Sequence, residues 1–199
     1  MLTEEWLASW PATTSPRARA TEERITRDAQ RLAVEKGFDG FTMDELATAS
    51  GVSRRTLFNH FASKTDAVLG NSPSIPAERL ERFADGLPHG HLVRDLGQLI
   101  AEMIADSSPS LEEVQRLPQL LREPRLMEAV QQRFIQTAER MTTLAALRGE
   151  TLSHRQSRML VLVFGAVAHE ALERLAAGDS TDLSSILLDL LEETLRLMR

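Results

Sequence analysis

The chain contains no cysteine and no tyrosine, and aromatic residues make up 5% of its 199 positions. Without cysteine there is no disulfide framework, no thiolate metal site and no cysteine nucleophile. Such a chain suits a reducing compartment. Few aromatics and no alternating β-branched runs leave little to build a sheet from. The longest uncharged apolar run, Met159–Ala168, is ten residues long, about half of the ~20 that a membrane span needs. The first ten residues carry two Trp and two Glu without a basic cluster, which is not the pattern of a signal peptide. These absences predict a cytoplasmic protein that stays out of the membrane. Also missing are a glycine-rich phosphate loop, a G-x-S-x-G elbow and a zincin motif. Neither an enzyme nor a cofactor is therefore expected. His89-Gly90-His91 has no obvious further ligand nearby and reads as a polar turn rather than a metal site.

What remains is rich in Leu and Ala, 42% hydrophobic, and biased towards helix, because straight-chain residues lose little rotamer freedom there. The expected fold is all-α, with about nine helices. Residues 1–20 read as an arm, and the sequence leaves open whether Trp6 and Trp10 dock or belong to a loose tail. Thr21 is placed as the first cap, ahead of a stripe of Ile25, Ala29, Leu32 and Ala33 that Gly37 stops. Thr42-Met43-Asp44-Glu45 is a capping box. Ser53 caps a third helix, and Ser63 with Asp66 starts a fourth. Beyond the turn-rich stretch 71–76, helices are predicted over 77–85, 91–106, 111–121, 124–147, 153–177 and 182–198. This divides the chain into an arm (1–20), a front domain (21–69) and a rear domain (70–199).

The front domain carries the functional signal. Two helices crossing steeply through a tight turn need a small residue on the first and a left-handed position at the turn. Ala47 and Gly51 supply these, four residues apart, while Leu46, Val52, Leu57 and Phe61 are spaced to fix the crossing angle. Net charge is −6, and residues 71–199 carry 14 basic and 19 acidic groups. From Gly51 to Thr65, however, there is no acid, and Arg54, Arg55 and Lys64 are present. A local basic face on an acidic protein fits a DNA reader whose phosphate attraction acts only where it docks. The second helix of such a pair enters the major groove. With Leu57 and Phe61 turned inward, Arg54, Arg55, Thr56, Phe58, Asn59 and His60 are left to face DNA. Arg pairs with guanine and Asn with adenine, and Thr56 and Phe58 suit a thymine methyl. Lys64 is better placed for phosphate, His60 reads as a phosphate donor rather than a pH switch, and helix-start amides behind Thr42 and Ser53 are further phosphate candidates.

Taken together, Ile25…Ala33, Gly37-Phe38, Gly40-Phe41-Thr42, Leu46-Ala47, Gly51-Val52-Ser53, Arg55-Thr56-Leu57-Phe58, His60-Phe61 and Lys64 resemble the N-terminal domain of the TetR family of repressors. The likeness covers roughly residues 21–69. Where this chain has Phe58 the family usually has Tyr, so a hydroxyl contact to phosphate is lost. The resemblance implies a homodimer on a near-palindromic operator, with its last two helices at the dimer interface. It also implies a small-molecule pocket in the rear domain whose ligand releases the DNA.

The residues add their own support for a dimer. The run 159–168 is apolar on all sides and has to be covered all round. Leu183, Ile186, Leu187, Leu190 and Leu191 recur at helical spacing, so that Leu160, Val163 and Val167 with these five are the candidate interface of a four-helix bundle. Two reading heads would then stand ~34–36 Å apart on the duplex. Pocket candidates are Phe83, Leu99, Met103, Leu120, Met127, Phe134, Met141, Phe164 and His169. The segment Leu117–Pro124, followed by a long helix, resembles rear domains that take acyl-CoA-like ligands, so the ligand class is small and apolar or acyl-CoA-like. Alternatives are a helix-turn-helix regulator with no small-molecule ligand, or one controlled by a protein partner, and a helical enzyme with a purely structural front hairpin. A rear cavity of ~300–1,000 Å³ would favour a ligand; a solid rear domain would favour its absence.

Overall fold

The computed structural model describes residues 6, 10–11, 14–72, 74–107, 111–148, 153–178 and 183–197. Among them are ten α-helices and a short 3-10 turn, with no strand. The chain divides into two compact units. A head comprises residues 14–72 and 112–133, and a body comprises residues 1–13, 73–111 and 134–199.

The head opens with α1, Pro16–Lys36. Thr21 is not its cap. Ser15 accepts the amide of Ala18 at 3.3 Å and Pro16 fills the first helical position, where a fixed φ and a missing N–H cost nothing. Thr21 lies inside the helix and donates its hydroxyl to Arg17 O. After the 3-10 turn Phe38–Gly40 come α2 (Met43–Ala49), α3 (Arg54–His60) and α4 (Lys64–Leu69). α1 packs on α2, on α4 and on the 3-10 turn. Ile25, Phe41, Leu46, Leu57, Phe61 and Val68 are buried in their shared core, and Gln30 ties α1 to α4 by donating to Val68 O.

Two further segments complete the head. α7 (Leu111–Leu120) and the start of α8 (Pro124–Leu147) bring Leu120 and Leu126 into the same apolar core. Arg125 pairs with Asp39 at 2.7 Å and lies over the Phe38 ring. Arg133 donates to Gly70 O at 2.6 Å and to Asp66 at 2.9 Å. The pairing with Arg125 holds the Asp39 carboxyl below its ordinary range. The compact head thus extends beyond the continuous stretch 21–69.

The body consists of α5 (Ala77–Ala84), α6 (Leu92–Ser107), the rest of α8, α9 (His154–Ala177) and α10 (Leu183–Leu197). The rear helices thus start and end within one residue of the spans read from periodicity. α9 starts with a capping box, Ser153 and Gln156. α10 packs on α9 and α6, and comes so close to α6 that a side chain at Gly97 would collide with Leu191. Leu80, Phe83, Leu92, Leu96, Met141, Leu144 and Phe164 fill the core.

One buried polar cluster sits in this body. Asp95 is 0% exposed and accepts Arg148 Nη2 at 2.6 Å, the amides of His89 and His91, and a contact of 2.9 Å from His89 Nδ1. Burial opposes ionisation of Asp95, but Arg148 and the amide and side chain of His89 outweigh it and hold the carboxyl below its usual range. The His89-Gly90-His91 turn therefore wraps a carboxylate. No helix of the described residues is long and apolar enough to cross a membrane.

Candidate nucleic-acid interface

The turn between α2 and α3 is built from backbone hydrogen bonds. Val52 N donates to Ala47 O at 3.0 Å and Gly51 N to Thr48 O at 3.2 Å, the paired closure of a Schellman motif, whose pivot needs a left-handed residue. Gly51 takes that position with φ +62°. Upstream, Thr42 Oγ1 accepts Glu45 N while Glu45 Oε2 accepts Thr42 N at 2.7 Å. The Thr42 amide, followed by Lys36, keeps the Glu45 carboxyl below its ordinary range. Downstream, Ser53 Oγ accepts Thr56 N at 3.0 Å and shares a 2.8 Å hydroxyl contact with Thr56. Both helices are only seven residues long. Helices this short are marginal alone, so the caps and the buried pair Leu57 and Phe61 hold them in place.

With Leu57 fully buried, one side of α3 is turned out. Arg54, Arg55, Phe58 and Asn59 are exposed and Thr56 is half-buried. Arg54 pairs with Asp44 at 3.2 Å and sits 5.6 Å from the centroid of the Phe58 ring. Asp44 thus leans the guanidinium along the helix surface, and Phe58, 43% exposed, gives it an aromatic face to lie against. Chemically the surface offers two guanidinium forks, one amide and one apolar ring within two helical turns. That is a donor-rich set suited to base edges and unsuited to catalysis, which needs a base or nucleophile in a cleft.

Two of the residues read as phosphate contacts are occupied within the head. His60 Nδ1 lies 3.0 Å from Glu22 Oε1, with side chains only 19% and 13% exposed, so the ring bridges α3 to α1 instead of pointing to solvent. Lys64 donates to Phe41 O at 2.8 Å and stands over the rings of Phe38 and Phe41 at 4.9 and 4.7 Å. Its long stem lets the ammonium fold back onto electron-rich faces. Thr42 and Ser53 use their side chains as caps. Glu22 and Asp44, which hold His60 and Arg54, were missed as site residues. Their partners lie 38 and 10 residues away, beyond any helical spacing rule.

The pocket candidates do not converge on one cavity. Phe83, Leu99, Met103, Met141 and Phe164 meet in the body's core. Leu120 is buried in the core of the head, Met127 is on the head and 37% exposed, Phe134 is 44% exposed, and the His169 side chain is 75% exposed and faces Glu173. A cleft lined by Arg79, Arg82, Phe83, Asp95, Leu99 and Glu102, among others, has a volume of about 50 Å³, far below a ligand pocket's ~300–1,000 Å³. The dimer candidates divide too. Leu160, Leu183, Ile186, Leu187, Leu190 and Leu191 are buried within this one chain, while Val163 and Val167 are half-buried. A helix apolar on all sides does not reveal which side its own fold consumes. Among the described residues of α9 and α10, the exposed large apolar side chains are Met159 (60% exposed), Leu162 and Leu188.

Residues 25–69 match the model of bacterial regulatory proteins of the tetR family. The chain is 30% identical over 112 residues to the putative mycofactocin biosynthesis transcriptional regulator MftR of Mycobacterium tuberculosis, covering 55% of this chain and 56% of that one. It is 26% identical over 187 residues to the HTH-type transcriptional repressor AcnR of Corynebacterium efficiens, covering 88% and 93%. Among solved structures, Thermus thermophilus FadR, a TetR-family transcriptional repressor in complex with lauroyl-CoA, aligns with a TM-score of 0.48 and 23% identity over 86% of this chain and 91% of that one. The match to MftR spans about half of that relative's length.

Proposed function

We propose that this chain, whose residues 25–69 match the model of bacterial regulatory proteins of the tetR family, is a DNA-binding transcriptional repressor of that family, acting as a homodimer on a near-palindromic operator. The observation that carries this reading is the outer side of α3. Arg54, Arg55, Phe58 and Asn59 stand exposed on a helix whose opposite side is locked by Leu57 and Phe61. Arg55 and Asn59, four residues apart, share one side and read base edges; Arg54, leaned on Asp44 and Phe58, serves an adjacent base or phosphate. A second copy of the chain covers Met159, Leu162 and Leu188, and its two-fold symmetry sets the spacing of the heads.

The test uses a duplex selected from genomic fragments, beginning with the promoter of the gene itself. Arg55→Ala lowers affinity for that duplex by about 1–3 kcal/mol and flattens sequence preference at one position, while circular dichroism and oligomeric state stay as in the wild type. A folded Arg54→Ala/Arg55→Ala protein that retains full sequence preference refutes the assignment.

Release by a small apolar ligand is the mechanism we favour, because only a molecule with unequal affinity for the bound and free states shifts the population. A second reading, regulation without a small molecule, draws on the cleft beside Phe83, whose volume is only about 50 Å³; against it stands a hollow of about 300 Å³ in the head, lined by Phe38, Leu120 and Leu126 among others.

A further inference from the structure

The hollow in the head has a volume of about 300 Å³ and lies where Ala33 and Val34 near the end of α1 and Phe38 of the 3-10 turn meet Leu120 of α7 and Leu126 of α8. That volume is at the lower end of small-molecule sites, ~300–1,000 Å³. Ala33, Phe38, Leu120 and Leu126 are buried and give the hollow an apolar floor. Gly37 keeps one side of it empty, because a side-chain carbon added there would meet no atom within 4 Å. The turn between α7 and α8 supplies the rim. The amides of Arg122 and Glu123 donate to Gln119 O and Leu120 O in that turn, and the side chains of Gln119 and Arg122 are exposed at the mouth.

The two charges on this rim are not equivalent. Glu123 is already paired with Arg125 at 2.7 Å. The guanidinium of Arg122 has no ion-pair or hydrogen-bond partner among the described residues. An apolar floor edged by one uncompensated guanidinium complements a molecule that is apolar at one end and anionic at the other, since the planar fork takes a carboxylate in bidentate fashion. We propose that the hollow is a binding site for a compact aliphatic carboxylate, with its hydrocarbon on Ala33, Val34, Leu120 and Leu126 and its charge on Arg122. Of the pocket candidates read from the sequence, Leu120 alone lines it. One wall is α1, which packs on α2 and α4. Binding stands apart from the proposed regulatory reading; a consequence for DNA rests on that reading and requires unequal affinity for the free and DNA-bound protein.

The test titrates cyclohexanecarboxylate into the full chain carrying labelled methyl groups. Saturable NMR shifts are expected at the methyls of Ala33, Val34, Leu120 and Leu126. Cyclohexylmethanol, a neutral molecule with the same skeleton, binds about tenfold more weakly, because it lacks the charge that meets the guanidinium. Arg122→Gln, at an exposed position, lowers carboxylate affinity to that of the alcohol and leaves the alcohol unchanged. Val34→Trp fills the hollow and abolishes binding of both; circular dichroism checks its fold, and Gln119→Trp, also exposed, serves as the blocking variant if Val34→Trp does not fold. Three results overturn the proposal: no saturable shifts, shifts centred instead on body residues such as Leu99 and Met103, or an Arg122→Gln protein that still prefers the carboxylate. Duplex retention is scored separately. A protein that binds the carboxylate at these methyls but retains no duplex leaves the site standing and sinks the regulatory reading, while one that retains its duplex and ignores the carboxylate sinks the site alone.

Discussion

Removing the carboxylate of Asp95 is the sharpest test of how the body is held together. Its two oxygens serve Arg148 Nη2 at 2.6 Å, the amides of His89 and His91, and His89 Nδ1. His89 and His91 lie on an exposed turn, so their amides regain water when the acceptor goes. Arg148 is different, with a side chain only 3% exposed and its guanidinium over the Phe83 ring. Asp95→Ala takes away the carboxylate that neutralises a buried cation, a change that costs about 3–5 kcal/mol. For a chain of this length that lowers the melting temperature by roughly 6–20 °C. Unfolding is followed by tryptophan fluorescence, because both tryptophans lie in the body's share of the sequence. Asp95→Leu combined with Arg148→Met removes the pair together and recovers most of the loss, because an apolar pair needs no charge compensation. Asp95 also has a pH signature. Its folded-state pKa lies below the ordinary value, so its stabilisation is fully present above the unfolded value of about 4 and is lost as pH falls through the folded one. The Asp95→Ala protein lacks that part of the acid limb. A loss below about 1 kcal/mol, or a double variant no better than the single one, refutes the reasoning.

Two more substitutions probe the head and the proposed dimer. Gly51→Ala costs the head about 1 kcal/mol through backbone conformation alone, because no atom lies within 4 Å of the added carbon; Gly51→Asn, which tolerates φ +62°, costs clearly less, and urea unfolding monitored by circular dichroism separates the two. Met159→Asp with Leu162→Asp, both at exposed positions of α9, converts the dimer to a folded monomer in analytical ultracentrifugation and abolishes operator binding, whereas a variant that remains dimeric removes this face from the interface.

The sequence by itself determined the local structure of this protein. Thr42 with Glu45, Ser53 and Ser63 placed helix starts, Gly51 placed the turn, and Leu46, Ala47, Leu57 and Phe61 marked a helix-turn-helix, since caps and helical periodicity act over three or four residues and can be read along the chain. The outward residues of α3 followed by elimination. Only the tertiary structure decided which polar groups are already taken: His60 by Glu22, Lys64 by Phe41 O, Arg54 by Asp44, Arg125 by Asp39. It also decided which side of the apolar run 159–168 in α9 faces its own core, and that Trp10 is buried in the body's core. Such pairings join residues ten to eighty-six positions apart. No periodicity encodes them; they are set by which helices meet, and hence by packing of the whole chain.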